Sequence, residues 1–171
     1  VGAGSSAVAA MRRGEIDALV HLDPVIQRLE AARAIDVVLD TRTPEGARAV
    51  YGGPYHASCL YAKADYVRAH PQTTQAMVNA IVRALRYIAA STPEQIADAV
   101  PPAFLGGDRA GYVAALAKNL PIVSPDGRFD AADAARVLAA LEGFEPFMRT
   151  AQLDPARAMT NDFVDRAPAA P

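Results

Sequence analysis

Ala9-Ala10-Met11-Arg12-Arg13-Gly14-Glu15-Ile16-Asp17-Ala18-Leu19-Val20-His21-Leu22-Asp23-Pro24 changes its structural period twice within a short stretch. Good helix formers run from Ala7 to Arg13 and end at Gly14, the residue type best suited to the left-handed turn that closes a helix. Residues 16–22 are mostly apolar and too few for a typical helix, which predicts a strand in a sheet covered on both faces. Asp23-Pro24 stops that strand, with Asp23 a candidate N-cap and Pro24 suited to the first helical position. Helix, strand and helix in this order predict a mixed α/β fold.

Upstream, Gly2-Ala3-Gly4-Ser5-Ser6 reads as a turn with two candidate N-caps, Ser5 and Ser6. The chain opens at Val1 without an initiator Met or a charged-then-apolar segment, so it is expected to be the interior of a longer protein. Downstream, Val25, Ile26, Leu29 and Ala32 give one apolar helical face ending near Ala34, and residues 36–40 read as a second strand. From Thr41 to Tyr55, Pro44, Gly46, Gly52, Gly53 and Pro54 predict irregular chain, and residues 57–62 a third strand. Beyond Ala64 the pattern becomes helix upon helix. A long helix is expected over 71–91, where Met77, Ile81, Leu85 and Ile88 recur on one face expected to be core, widened by Val78 and Val82. Thr92 should cap a helix to Val100, Asp108 should open another to Leu120 with Tyr112, Ala115 and Leu116 inward, and Ser124-Pro125-Asp126-Gly127 should turn. A last helix is expected from Asp130 to Leu141, closed by Gly143, and the Pro/Ala end from Ala167 has nothing to pack.

The 171 residues are 51% hydrophobic, enough for a sizeable core, and 17 Lys and Arg against 19 Asp and Glu leave a net charge of −2. With no basic stripe or acidic tail, neither nucleic acid nor an anionic membrane surface is indicated. A single cysteine, Cys59, excludes an internal disulfide framework and is expected to be a buried thiol. Three scattered histidines with no metal-ligand spacing argue against a metal site.

Taken in order, the run from Ala9 to Ala18 with Asp23-Pro24, then Val78-Asn79-Ala80-Ile81-Val82-Arg83-Ala84-Leu85, then Ser124-Pro125-Asp126-Gly127, resembles the solute-binding proteins that feed ABC importers. The group is that of nitrate, sulfonate and thiamine-precursor carriers (NMT1/THI5-like and SsuA-like), and the similarity runs from about Gly2 to about Leu141. The resemblance implies part of a type II periplasmic-binding-protein-like α/β fold. Residues 1–53 would belong to the second lobe, 54–63 to the crossover strand, 64–166 to mainly helical structure returning to the first lobe, and 167–171 to a disordered tail. It further implies a monomer, exported to the periplasm, that captures a small anionic or heteroaromatic solute between lobes and delivers it to an ABC transporter permease. No enzyme activity and no cofactor are implied.

Gly4, Ser5 and Ser6 sit where a helix begins, so unpaired backbone N–H groups, two hydroxyls and the positive end of the helix dipole suit an anionic solute; alternatively a serine caps its own helix. Asp23 lies at a strand's C-terminal end, where open α/β sheets place ligand contacts, although a plain N-cap is the simpler role. Tyr51, Tyr55 and His56 flank the Gly-rich stretch, where rings can stack on a bound ring. Arg42 could meet an anion or be an ordinary exposed loop arginine; His21 reads as a strand residue and His70 as part of the entry to the long helix. Two other functions remain open. Gly2, Gly4 and Ala7 satisfy G-x-G-x-x-A with Asp23 in the place of a ribose-binding acid, which would suit a dinucleotide-binding oxidoreductase. A ligand-sensing domain of a transcriptional regulator would share the two-lobe architecture.

Overall fold

The computed structural model describes residues 4–151 and 153–169. In chain order the α-helices are α1 (Ser5–Arg12), α2 (Val25–Ala31), α3 (Pro44–Tyr51), α4 (Ala64–Ala69), α5 (Pro71–Ala89), α6 (Pro93–Ala99), α7 (Arg109–Asn119), α8 (Ala131–Phe144), α9 (Pro146–Thr150), α10 (Pro155–Ala158) and α11 (Asp162–Asp165), and a 3-10 turn covers Pro102–Leu105. The chain folds as two compact units, one built from residues up to 40 with 91–121, the other from 41–90 with the residues after 121.

The first unit carries α1, α2, α6 and α7. Gly14 ends α1 at φ +66°, with Glu15 N–H donating to the Ala10 carbonyl and Gly14 N–H to that of Met11, the paired bonds expected of a glycine-closed helix. The first helix starts earlier than its sequence suggests, at Ser5, and its N-cap is Gly4 rather than a serine. Pro24 takes the N-cap of α2 after a cis Asp23–Pro24 bond, and Asp23 still caps from one residue back, its Oδ1 accepting the Gln27 N–H at 2.9 Å. This pairing of α1 with α2 buries Ala7, Val25 and Leu29, with Met11, Leu19 and Ile35 packed around them. The α6 cap forms as its sequence requires: Thr92 Oγ1 accepts the Gln95 N–H and Gln95 Oε1 accepts the Thr92 N–H. The backbone N–H of Glu94 itself and then the Thr92 hydroxyl hold the Glu94 carboxyl below the usual carboxylate range. Asp108 caps α7 through the Gly111 N–H, and Ala115 faces inward.

In the second unit α5 packs against α4 and α11, and α8 against α3, α9 and α10. The stretch expected to be irregular contains α3: Thr43 accepts the Gly46 N–H, Pro44 holds the first helical position, and Gly52 closes the helix at φ +79°. The Pro and Gly residues that argued for a loop are the helix's own start and stop signals. On α5 the inward face differs from the expected one. Thr74 and Val82 are buried and Val78 and Leu85 half-buried, whereas Met77 and Ile81 are exposed. Tertiary packing chooses among neighbouring stripes of an apolar helix: Leu85 and Val82 meet Gly127 of the 124–127 turn, and Gln75 donates to the Phe163 carbonyl beside α11. Helix α8 runs through Gly143 to Phe144, because Glu145 N–H still finds the Leu141 carbonyl. Arg86 donates to the Pro168 carbonyl, so the Pro/Ala end is engaged at that residue; the tail assigned to Ala170 and Pro171 lies outside the described residues.

The strands expected at 16–22, 36–40 and 57–62 do not form: these segments are neither helical nor paired, and no strand occurs among the described residues. A β-segment satisfies its N–H and C=O groups only on a neighbouring strand. Apart from Ile16 and Leu19, their large apolar side chains are open to solvent, with Val20 fully exposed, Val38 at 90% and Tyr61 at 89%. Cys59 is exposed, not buried as expected. Among the described residues no helix is long and apolar enough to cross a membrane.

Candidate functional site

The functional candidates fall on both units. In the first, Gly4 at φ +74° sets the entry to α1, Ser5 and Ser6 are its first two helical residues, and no side chain caps the helix. The helix thus begins at a glycine that offers no side-chain cap. Asp23 is committed to the fold. Its Oδ1 holds the Gln27 N–H and its Oδ2 accepts from Asn119 Nδ2 at 2.6 Å, joining the start of α2 to the end of α7. Sequence reading missed Asn119, since a contact across so much chain leaves no local signal.

In the second unit the end of α3 and the Gly52-Gly53 turn bring Tyr51 and Tyr55 together, and His56 follows next in the chain. The two tyrosine rings stack with centroids 4.2 Å apart and planes 25° from parallel. His56 Nε2 lies 3.2 Å from Asp133 Oδ2, and its ring meets Phe129 edge-on at 5.3 Å. The other oxygen of Asp133 pairs with Arg136, one turn further along α8. Arg136 lies directly on Gly53: a Cβ there would sit 2.8 Å from Nε and 2.9 Å from Cζ. Gly53 is therefore required for close approach. Asn161 fixes the backbone of Phe129 by donating to its carbonyl and accepting its N–H, both at 2.9 Å.

Asp133 is the centre of this arrangement. It is buried, and its charge is balanced by Arg136 on one side while His56 occupies the other. A buried carboxylate so placed lies against the Nε2 side of the imidazole and restrains its orientation. Asp133, Arg136, Gly53 and Phe129 were not singled out from sequence; the i, i+3 Asp/Arg pair was a readable clue, whereas its contact with His56 was not.

The other candidates are placed plainly. Arg42 is buried and has an interaction partner, so it is not the exposed loop arginine expected. His70 caps α5 and its ring lies 4.6 Å from that of Tyr66, in keeping with a helix-entry role. His21 accepts the Leu22 N–H on Nδ1. Among the described residues no group of three or more His, Cys, Asp or Glu is placed to hold a metal. Gly2 of the G-x-G-x-x-A match lies outside the described residues, and Gly4, Ala7 and Asp23 within it serve α1 and α2 as described.

The chain belongs to the NMT1-like family, whose model matches residues 1–101, a group of solute-binding proteins. It is also similar to a solved structure of a protein from Bordetella bronchiseptica RB50, with 45% sequence identity and a TM-score of 0.89. That match covers 98% of this chain and 52% of the other, so the chain spans about half the length of that protein. No curated protein gives a significant match.

Proposed function

We propose that this chain is part of the substrate-binding component of an ABC importer, acting outside the cytoplasm as a periplasmic or lipid-anchored protein. It takes up a small anionic or heteroaromatic solute reversibly and presents it to a permease. The observation that carries this reading is the stacked Tyr51–Tyr55 pair beside a histidine oriented by Asp133. Such a face offers a π surface and a directional hydrogen-bonding group, the usual means of fixing a small solute in place. The α1 start, with Gly4, Ser5 and Ser6, belongs to the other unit and is a separate candidate for an anionic group, where Asp23 supports the local backbone. Delivery follows if the permease recognises a conformation that the bound solute favours.

The test is a thermal-shift screen of the full-length protein against nitrate, sulfonates, pyrimidines and aromatic carboxylates. A specific solute at a hundred times its Kd should stabilise by about 2.7 kcal/mol. The stabilisation should disappear in Tyr55→Ala and His56→Ala. If no member of the panel raises the melting temperature while NAD or FAD does, the dinucleotide-binding alternative replaces this reading.

The α/β character belongs to the same proposal. Segments 16–22, 36–40 and 57–62 carry strand-like composition and exposed apolar side chains, which supports their being strands completed by the remainder of a protein about twice this length. Burying an exposed Val or Leu in such a sheet contributes about 1.5–3 kcal/mol. Hydrogen exchange on the full-length protein should accordingly find the amides of these three segments among the best protected. Exchange at loop rates there would remove the sheet from the proposal.

A further inference from the structure

A second concavity lies entirely within the first unit, where α2, the 3-10 turn Pro102–Leu105 and α7 enclose a groove of about 420 Å³. It shares no residue with the Tyr51–His56 face. Its volume falls within the range of small-molecule sites, roughly 300–1,000 Å³. The walls are mainly apolar, supplied by the alanines of α2, the Phe104 ring and Tyr112. Phe104 is 73% exposed, so its ring is available to a ligand lying in the groove.

Two polar groups of residues lining this groove have no side-chain partner among the described residues. Gln27 Oε1 is fully shielded from solvent and accepts no hydrogen bond, although its residue lines the groove. A buried acceptor left empty costs free energy that a donor from a ligand would recover. The neighbouring Arg28 is half-buried, and no carboxylate among the described residues pairs with it. Its guanidinium reaches the turn after Leu105, where Gly106 at φ +59° leaves room: a Cβ there would stand 3.4 Å from Arg28 Nη2. The one acidic residue in the lining, Asp108, directs its Oδ1 to the Gly111 N–H at 2.8 Å as the cap of α7. Cation and aromatic wall therefore lie in one groove, and the orphaned acceptor belongs to a residue that lines it.

We propose that this groove is a binding site for a small amphipathic carboxylate with an aromatic body and an N–H or O–H donor. The carboxylate pairs with Arg28, the Gln27 amide turns so that its Oε1 accepts from the donor, and the ring packs against Phe104 and Tyr112. A guanidinium favours a planar carboxylate because it can donate two parallel hydrogen bonds. An oxyanion without an apolar body, such as nitrate, would leave Phe104 uncovered.

Three probes separate these contributions in the full-length protein, read by amide chemical shifts in NMR and by calorimetry. Indole-3-acetate carries all three features, indole lacks the carboxylate, and 1-methylindole-3-acetate lacks the donor. Indole-3-acetate should shift the signals of residues 104–112 saturably and bind at least about tenfold more tightly than either of the others, a difference of about 1.4 kcal/mol. Arg28→Met should remove the advantage over indole, and Gln27→Met the advantage over the methylated acid. Gln27→Met should also melt no lower than the wild type, since it deletes an unsatisfied acceptor. Phe104→Ala, at an exposed position that does not support the fold, should weaken all three probes. Absence of saturable shifts in 104–112, or shifts that survive Arg28→Met and Phe104→Ala unchanged, would overturn the proposal. Because His56→Ala and Tyr55→Ala leave this groove intact, failure here is distinguishable from failure of the solute site.

Discussion

Asp133→Ala is expected to destabilise the protein by about 3 kcal/mol, the lower end of what breaking a buried ion pair costs. Asp133 is buried between two cationic or ionisable partners, and its removal strands the Arg136 guanidinium, whose Nε is already shielded without a hydrogen bond. The lower end applies because the Arg136 side chain retains 30% of its exposure and can turn toward water. His56 loses its carboxylate in the same step, so solute binding at the tyrosine face should weaken beyond what the remaining stability explains. Asp133→Asn keeps the volume and one acceptor oxygen and should cost less in both respects. Urea unfolding and the thermal-shift response to a bound solute read the two effects separately. A loss below about 1 kcal/mol would place the cluster with ordinary solvent-screened pairs, and the positioning role of Asp133 would be withdrawn.

The second large effect is expected at Leu29→Ala, about 2–5 kcal/mol. Leu29 has no exposed surface and packs with Ala7 and Val25, small neighbours that cannot close over the space a shorter side chain leaves. The lost methyl groups and the remaining cavity both contribute. Leu29→Met, which nearly preserves volume, should cost less than about 1.5 kcal/mol. Denaturant midpoints should fall with little change in slope, since the native surface is unaltered. The consequences reach function because α2 also carries Gln27 and Arg28, whose placement depends on this seat between α1 and α7. A midpoint shift as small as that of a surface substitution would mean that α1 and α2 do not share the core described.

How much was legible depended on the range of the interaction involved. Local signals were read well where one residue's chemistry decides: Gly14 as a helix stop, the Thr92–Gln95 capping box, Asp108 as a cap and the 124–127 turn all appear as their composition requires. The same kind of signal was misread at Thr43-Pro44, where a helix start was taken for irregular chain because Gly46 and Gly52 follow. The α5 stripe shows a different limit. Its periodicity fixed a helix but left several apolar faces, and Gly127 with the α11 region selected the one containing Val82 rather than Ile81.

The candidate site divides along the same line. Tyr51, Tyr55 and His56 were found because aromatic residues beside glycines are conspicuous in a sequence, and the structure adds the ring stacking. Asp133 reaches His56 only because α8 packs on α3, and Asn119 reaches Asp23 only because α7 packs on α2. No spacing announces such contacts.

By itself the sequence determined where α5, α6, α7 and α8 begin and the family to which the chain belongs. These properties are set by backbone freedom, capping and side-chain type within a few residues of one another. Only the tertiary structure decided which face of α5 is buried, how Asp133 and Arg136 fix His56 beside Gly53, and that Gln27 and Arg28 meet Phe104 in a groove. Those outcomes depend on packing between elements distant in the chain, where shape and desolvation, rather than local propensity, select the partner.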